Sequence, residues 1–248
     1  MLNLTEYNRK ELPNWCTGCG NFSMLAGIKK SLAELEIAPH QVVVVSGVGC
    51  FAKLPYWLRT YGFVGLHGRS LPVAQGIKLA NHRLKVIALG GDGDGYGEGG
   101  NHFLHACRRN IDIAYFVHNN GVFGLTTGQY SPSSARGTKT KSSPGGSSEV
   151  PINPLALAIA EGATFVARAY AGNPKEMIEI MKKSIEHKGF SFVDIIQPCV
   201  TFGHNYQYYN DRVYYLTETY HHRGQAMEKA LEYEKENKFA VGIFYQER

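Results

Sequence analysis

The sequence predicts an α/β protein with a mainly parallel sheet and helices on both faces. Short apolar runs at residues 41–45 and 85–89 are typical of strands that are buried on both faces of a parallel sheet. Segments with helical periodicity alternate with such runs along the chain. Glycines and polar residues follow several strand ends, which is where open α/β sheets bind their ligands.

The elements can be assigned in chain order from these patterns. Met24, Ile28, Leu32 and Leu35 recur at helical spacing and predict a first helix over residues 22–35. The remaining helices are expected over residues 72–82, 99–109, 154–161, 174–187 and 224–234. The strands are expected over residues 41–45, 61–66, 85–89, 113–117, 164–168, 190–196 and 241–245. Residues 131–150 are rich in Ser, Pro, Gly and Lys, and they predict a long loop that is either a lid or disordered.

Length and composition favour one domain over residues 1–248, with an N-terminal loop at 14–21 and a C-terminal tail at 204–248. The chain has 248 residues, of which 44% are hydrophobic, enough for one large core. Its 26 basic and 21 acidic side chains give a mild net charge of +5, spread along the chain, which argues against nucleic-acid binding. No apolar run approaches the roughly 18 residues that span a bilayer, so we expect a cytoplasmic protein without membrane contact.

A glycine-flanked acid follows one predicted strand, and an amide follows the next. The first strand leads into Gly90-Gly91-Asp92-Gly93-Asp94-Gly95, and the second leads into His118-Asn119-Asn120-Gly121. Two carboxylates in a glycine turn would repel a phosphate unless a divalent cation lay between them. The pattern therefore predicts a diphosphate bridged by Mg²⁺, with Asp92, Asn120 and a carbonyl just past the amide as ligands.

Two other interpretations of the glycine turn fit less well. Gly95-x-Gly97-x-x-Gly100 matches the dinucleotide fingerprint, but the strand ends several residues before its first glycine, and the next strand ends in asparagines instead of an acid. A glycine-rich turn without any ligand would leave the matching strand-end positions of Asp92 and Asn120 unexplained.

Five cysteines without a secretory signal predict reduced thiols and no disulfide framework. Cys16 and Cys19 have the spacing of two ligands of one metal centre, and Cys50 and Cys199 each follow a strand. At one edge of a parallel sheet these four thiolates could bind a [4Fe–4S] cluster or a structural zinc, and their spacing leaves both open. Cys107 lies among apolar helix residues and is expected in the core.

Together these motifs resemble the β subunit of the 2-oxoacid:ferredoxin oxidoreductases along nearly the whole chain. The resemblance lies in Trp15-Cys16-x-x-Cys19-Gly20-Asn21-Phe22, Gly47-Val48-Gly49-Cys50, His67-Gly68-Arg69, Gly91 to Gly95 and Asn119-Asn120. It implies a thiamine diphosphate-binding fold of the diphosphate-binding (PP) type.

The resemblance also implies roles for individual residues. The cluster ligands would be Cys16, Cys19, Cys50 and Cys199, and the Mg²⁺ ligands would be Asp92, Asn120 and the carbonyl of Val122. The cofactor contacts would be Val48, Gly49, Cys50, Phe51, His67, Gly93, Asp94, Gly124 and Leu125. Lys53 matches the place of a lysine that meets the substrate carboxylate, and Arg69 could pair with a diphosphate oxygen.

The implied reaction is the coenzyme A-dependent oxidative decarboxylation of a 2-oxo acid to acyl-CoA and CO₂. Electrons would pass through the [4Fe–4S] cluster to ferredoxin. The chain ending at residues 240–246 looks like the 2-oxoglutarate or broad 2-oxoacid branch more than the pyruvate branch. Thiamine chemistry also needs a glutamate from a pyrimidine-binding domain, so the resemblance implies an α or fused γα partner subunit in a hetero-oligomer, without which the chain is inactive.

Two alternatives remain open from the residues alone. A non-redox thiamine diphosphate enzyme would explain Asp92 and Asn120 but not the four cysteines. A zinc-stabilised binding module would explain the cysteines but not the metal and diphosphate pattern.

Overall fold

The computed structural model describes residues 2–236 and 238–247 of the chain. Met1, Asn237 and Arg248, which the expected domain and tail include, lie outside the described residues. The strands are β1 Val42–Ser46, β2 Tyr61–Val64, β3 Lys85–Gly91, β4 Ile113–Asn119, β5 Val122–Phe123, β6 Gln129–Tyr130, β7 Phe165–Tyr170, β8 Phe190–Ile196, β9 Val213–Tyr215 and β10 Phe239–Gln246.

Eight of these strands form one sheet in the order β2-β1-β3-β4-β8-β7-β10-β9. Every neighbouring pair is parallel except β7 and β10, which are antiparallel. Strands β5 and β6 form a separate antiparallel hairpin just after β4. The predicted mainly parallel sheet is therefore confirmed, and the carboxyl ends of β1, β3, β4 and β8 share one edge.

Helices cover both faces of the sheet, as the sequence predicts. They are α1 Asn21–Glu34, α2 Ser70–Ala80, α3 Gly100–Arg109, α4 Pro154–Ala160, α5 Pro174–Glu186, α6 Tyr206–Asn210 and α7 Arg223–Glu236. Helices α1 and α5 contribute to the core on one face, and α2, α3, α4 and α7 contribute to the core on the other. In the described part of the chain, no helix is both long enough and apolar enough to cross a membrane.

Local sequence signals explain where several helices begin and end. Asn153 and Asn173 each accept a hydrogen bond from a backbone N–H in the first turn of α4 and α5, and a proline follows each asparagine as the first helical residue. Asn110 closes α3 in the left-handed conformation, with φ of 51°.

Most predicted elements occur within a few residues of their expected ends, and three do not follow from the sequence pattern. The β5–β6 hairpin, helix α6 and strand β9 are too short to show a periodicity. Residues 131–150 contain no helix or strand, and Ser131 and Ser133 are hydrogen-bonded to the residues at the ends of β3 and β4.

Candidate cofactor and cluster site

A cleft of about 510 Å³, including its open mouth, lies at the carboxyl edge of the sheet. All nine residues expected to contact the cofactor line it, namely Val48, Gly49, Cys50, Phe51, His67, Gly93, Asp94, Gly124 and Leu125. The three expected Mg²⁺ ligands, Asp92, Asn120 and Val122, line the same cleft. The fold thus brings together strand ends that are far apart in the sequence.

Asp92 directly follows β3 and is a buried carboxylate, with 2% of its surface exposed. Its Oδ2 accepts hydrogen bonds from the Ser131 and Ser133 hydroxyls, the latter at 2.6 Å. Burial raises the pKa of Asp92, and the two hydroxyl donors oppose this rise. A carboxylate desolvated in this way is suited to bind a cation.

Asn120 follows β4 and faces the same cleft. Its Oδ1 accepts the backbone N–H of Val122 at 3.0 Å, which folds the chain into a tight turn. The turn places the amide oxygen of Asn120 and the backbone of Val122 in the cleft wall together with Asp92. Carboxylate, amide and carbonyl oxygens form the hard donor set that Mg²⁺ prefers, so these residues fit the ion.

Asp94 lies in the wall of the cleft and ties together the turns that follow β1 and β2. Its Oδ1 accepts the N–H of Val48 at 2.9 Å and the N–H of Gly68 at 2.8 Å. Burial raises its pKa to about 6. A side chain at Gly47 would place its Cβ 2.2 Å from Asp94 Oδ1, so glycine is required for this contact.

His118 is a cleft residue that the sequence analysis did not single out. It is 1% exposed, and its Nδ1 lies 2.7 Å from Asn21 Oδ1. Burial lowers its pKa to about 3, so the ring is neutral at physiological pH and Nδ1–H donates to Asn21. Within the described chain, His118 Nε2 and Asp94 Oδ2 are buried without a hydrogen-bond partner, and both residues line the cleft. Such open polar groups fit a cleft built for a polar ligand.

The four expected cluster cysteines lie beside this cleft. The loop at 14–21 is held by Trp15 Nε1, which donates to the Cys50 carbonyl at 2.7 Å, and by the N–H of Gly20, which donates to the Pro198 carbonyl at 3.2 Å. A Cβ at Gly124 would lie 3.7 Å from the Cys50 sulfur and 3.8 Å from the Cys199 sulfur.

The thiols are close enough to influence one another electrostatically. Burial is the main cause that raises the pKa of Cys19 and of Cys50, and the neighbouring thiols, including Cys16 and Cys199, raise both further. Among the described residues, no three His, Cys, Asp or Glu side chains are grouped so as to hold a single ion. In a cubane cluster each thiolate binds a different iron, so its ligands lie farther apart than those of one ion, and thiols that influence one another without forming a single-ion site fit that arrangement.

Three basic residues from the sequence analysis occupy different places. His67 lines the cleft, and its Nε2 lies 2.8 Å from Glu98 Oε2. Arg69 donates to the Glu98 carbonyl at 3.1 Å and does not line the cleft. Lys53 also lies outside the lining, and its Nζ donates to Asn14 Oδ1 at 3.3 Å.

Two family models match the chain. Residues 36–195 match the thiamine pyrophosphate enzyme C-terminal TPP binding domain, and residues 199–248 match the C-terminal part of the pyruvate ferredoxin oxidoreductase beta subunit. The first match includes every residue that lines the cleft except Gln197. Fold and cleft therefore define a thiamine diphosphate-binding domain.

The chain is also similar to individual proteins within this class. A 2-oxoacid:ferredoxin oxidoreductase subunit beta from Saccharolobus solfataricus is 51% identical over 84% of this chain and 70% of its own length. A 2-oxoglutarate synthase subunit KorB from Methanocaldococcus jannaschii is 37% identical over 96% of this chain and 90% of its own length. A solved 2-oxoglutarate:ferredoxin oxidoreductase from Magnetococcus marinus, with 2-oxoglutarate, coenzyme A and succinyl-CoA bound, superposes with a TM-score of 0.96 at 37% identity, covering 100% of this chain and 86% of that one.

The chain belongs to the beta subunits of the 2-oxoacid:ferredoxin oxidoreductases, and it is an oxidoreductase subunit. The relatives' names as subunits indicate that it works within a larger assembly.

Proposed function

We propose that this chain holds thiamine diphosphate, Mg²⁺ and a [4Fe–4S] cluster in a coenzyme A-dependent 2-oxoacid:ferredoxin oxidoreductase. The observation that carries the proposal is the position of Cys50. This residue lines the cofactor cleft, and its sulfur and the Cys199 sulfur both lie next to Gly124. A cluster held by thiols that border the cofactor would lie next to it and could accept its electrons directly.

The residues of this chain bind and orient the cofactor. Asp92, Asn120 and the Val122 carbonyl would hold Mg²⁺, and the glycine turn at Gly93 would let the diphosphate approach the backbone. When bound, thiamine diphosphate supplies the carbanion chemistry that releases CO₂ from a 2-oxo acid. Cys16, Cys19, Cys50 and Cys199 would hold the cluster that passes electrons toward ferredoxin.

The substrate we favour is 2-oxoglutarate or a broad range of 2-oxo acids, in agreement with the names of the relatives and with 2-oxoglutarate in the Magnetococcus structure. We assign Lys53 to the substrate carboxylate as part of this proposal. The same proposal includes an α or fused γα partner that supplies the pyrimidine-binding domain and its glutamate.

The test is the anaerobic visible spectrum of the complex with its partner subunit, together with iron, zinc and thiamine analysis. We expect a broad absorption band, about four irons per chain, and bleaching on addition of a 2-oxo acid with coenzyme A. A colourless protein that holds thiamine without iron would support a non-redox thiamine enzyme, and zinc in place of iron would contradict the electron path.

A further inference from the structure

Gln197 lies between the expected metal site and the expected cluster site. It follows β8, is 1% exposed, and lines the cofactor cleft. Its backbone N–H donates to the Asn119 carbonyl at 2.8 Å, which fixes it beside the end of β4. Neither the sequence motifs nor the comparisons assign it a role.

The two ends of the Gln197 amide face different groups. Its Nε2 donates to the Cys19 sulfur at 3.5 Å and to the Pro198 carbonyl at 3.0 Å. Its Oε1 accepts from Asn120 Nδ2 at 3.4 Å. One side chain therefore contacts an expected iron ligand and an expected Mg²⁺ ligand.

The acceptors around Gln197 determine which way its amide points. A carbonyl and a thiol both accept hydrogen bonds, so the nitrogen must face them and the oxygen must face Asn120. The Gln197 oxygen accepts a hydrogen bond from Asn120 Nδ2, so this nitrogen faces Gln197. Asn120 Oδ1 is then available to the Val122 N–H and to the expected Mg²⁺. Partners of this kind orient metal ligands and tune the metal.

Gly20 makes room for this bridge. A Cβ at Gly20 would lie 2.9 Å from Gln197 Cγ and 3.0 Å from its Nε2, so a larger residue would displace the amide. Gly20 has ordinary helical backbone angles, with φ of −60°. The need for glycine here arises from the packing of Gln197 and not from the backbone conformation.

We propose that Gln197 is a positioning residue that couples the two centres: it donates a hydrogen bond to the Cys19 ligand of the cluster and orients the Asn120 ligand of Mg²⁺. This inference rests on the proposed function. A hydrogen bond to a cluster sulfur stabilises the reduced, more negative cluster and raises its reduction potential. The same side chain should therefore influence a potential and a metal affinity.

The test replaces Gln197 with methionine, which has a similar length but neither donor nor oxygen acceptor, in the complex with its partner subunit. We expect a lower midpoint potential of the cluster in a redox titration followed by EPR. We also expect a fall of about tenfold in Mg²⁺ affinity in the presence of thiamine diphosphate, measured by calorimetry. The matched control is Gln75→Met, since Gln75 is also buried but its amide nitrogen donates to the Leu71 carbonyl within α2.

If Gln197→Met loses iron, a second variant still tests the proposal. Gly20→Ala leaves Gln197 in place but pushes its amide aside, and it should shift both readouts in the same direction. Wild-type potential and Mg²⁺ affinity in variants with full iron content, or a change in only one readout, would overturn the coupling role. A wild-type complex that lacks the cluster would instead contradict the proposed function itself.

Discussion

At the scale of single residues, a buried ion pair supports the turn that carries the expected metal ligands. Arg168 on β7 donates from Nε to Asp194 Oδ2 on β8 at 2.7 Å, and both side chains are almost fully buried. Tyr96 and the Asn119 amide donate to the other oxygen of Asp194 at 2.8 and 2.9 Å. Asp194 thus fixes the residue that precedes Asn120.

Replacing Asp194 with asparagine should lower the free energy of unfolding by about 3–5 kcal/mol, because the Arg168 charge would remain buried without its carboxylate. Denaturant unfolding of the subunit measures this loss. The double variant Arg168→Met/Asp194→Asn should lose less than the sum of Arg168→Met and Asp194→Asn, since it leaves no buried charge. Additive losses would show that the pair does not act as a unit.

At the scale of elements, residues 131–150 are attached through serine hydroxyl groups to the strand ends that carry the expected metal ligands. Ser133 Oγ lies 2.6 Å from Asp92 Oδ2 and 2.8 Å from Asn119 Oδ1, within donor reach of both, and Ser134 donates to the Gly121 carbonyl at 2.6 Å. The segment is therefore attached to the ends of β3 and β4, where the metal ligands lie. Its serines can hold the Asp92 carboxylate in one orientation.

The double variant Ser131→Ala/Ser133→Ala should weaken Mg²⁺ binding about tenfold, because outer hydrogen bonds orient a metal-binding carboxylate. Calorimetric titration with Mg²⁺ in the presence of thiamine diphosphate measures the change. Ser142→Ala is the control, since this exposed serine of the same segment contacts Thr140 and not Asp92. Equal affinities in the double variant and the control would assign these serines to the fold alone.

Local patterns predict the strands and the strand-end positions of Asp92 and Asn120, whereas the other expected cofactor contacts follow from the family resemblance. Apolar runs predict β1 and β3, and the polar residues at their ends then meet at one edge. Contacts between distant segments leave no such pattern: Gln197 and Cys19 are separated by 178 positions, and Asp92 and Ser133 by 41. A glycine at position 20 is visible in the sequence, but its reason becomes apparent only when Gln197 is placed against it.

At the scale of the whole molecule, the edge of the sheet next to the cleft is apolar and exposed. Strand β2 is the first strand of the sheet, and Tyr61 and Phe63 on it are 58% and 47% exposed. Leu66 follows at 76%, directly before His67 in the cleft wall. Exposed apolar edge strands pair readily with other chains, so natural proteins cover them. We infer that the proposed partner subunit covers this edge while it completes the cofactor site.

The double variant Phe63→Glu/Leu66→Glu should therefore lose the partner subunit while the chain still folds, because two charges would be buried without partners in the contact. Co-purification of the two subunits measures the loss, and circular dichroism reports the fold of the free chain. Leu79→Glu is the matched control: Leu79 is 59% exposed, but it lies near the end of α2 that is remote from the cleft. A double variant that retains its partner as well as the Leu79 control does would place the subunit contact elsewhere on the molecule.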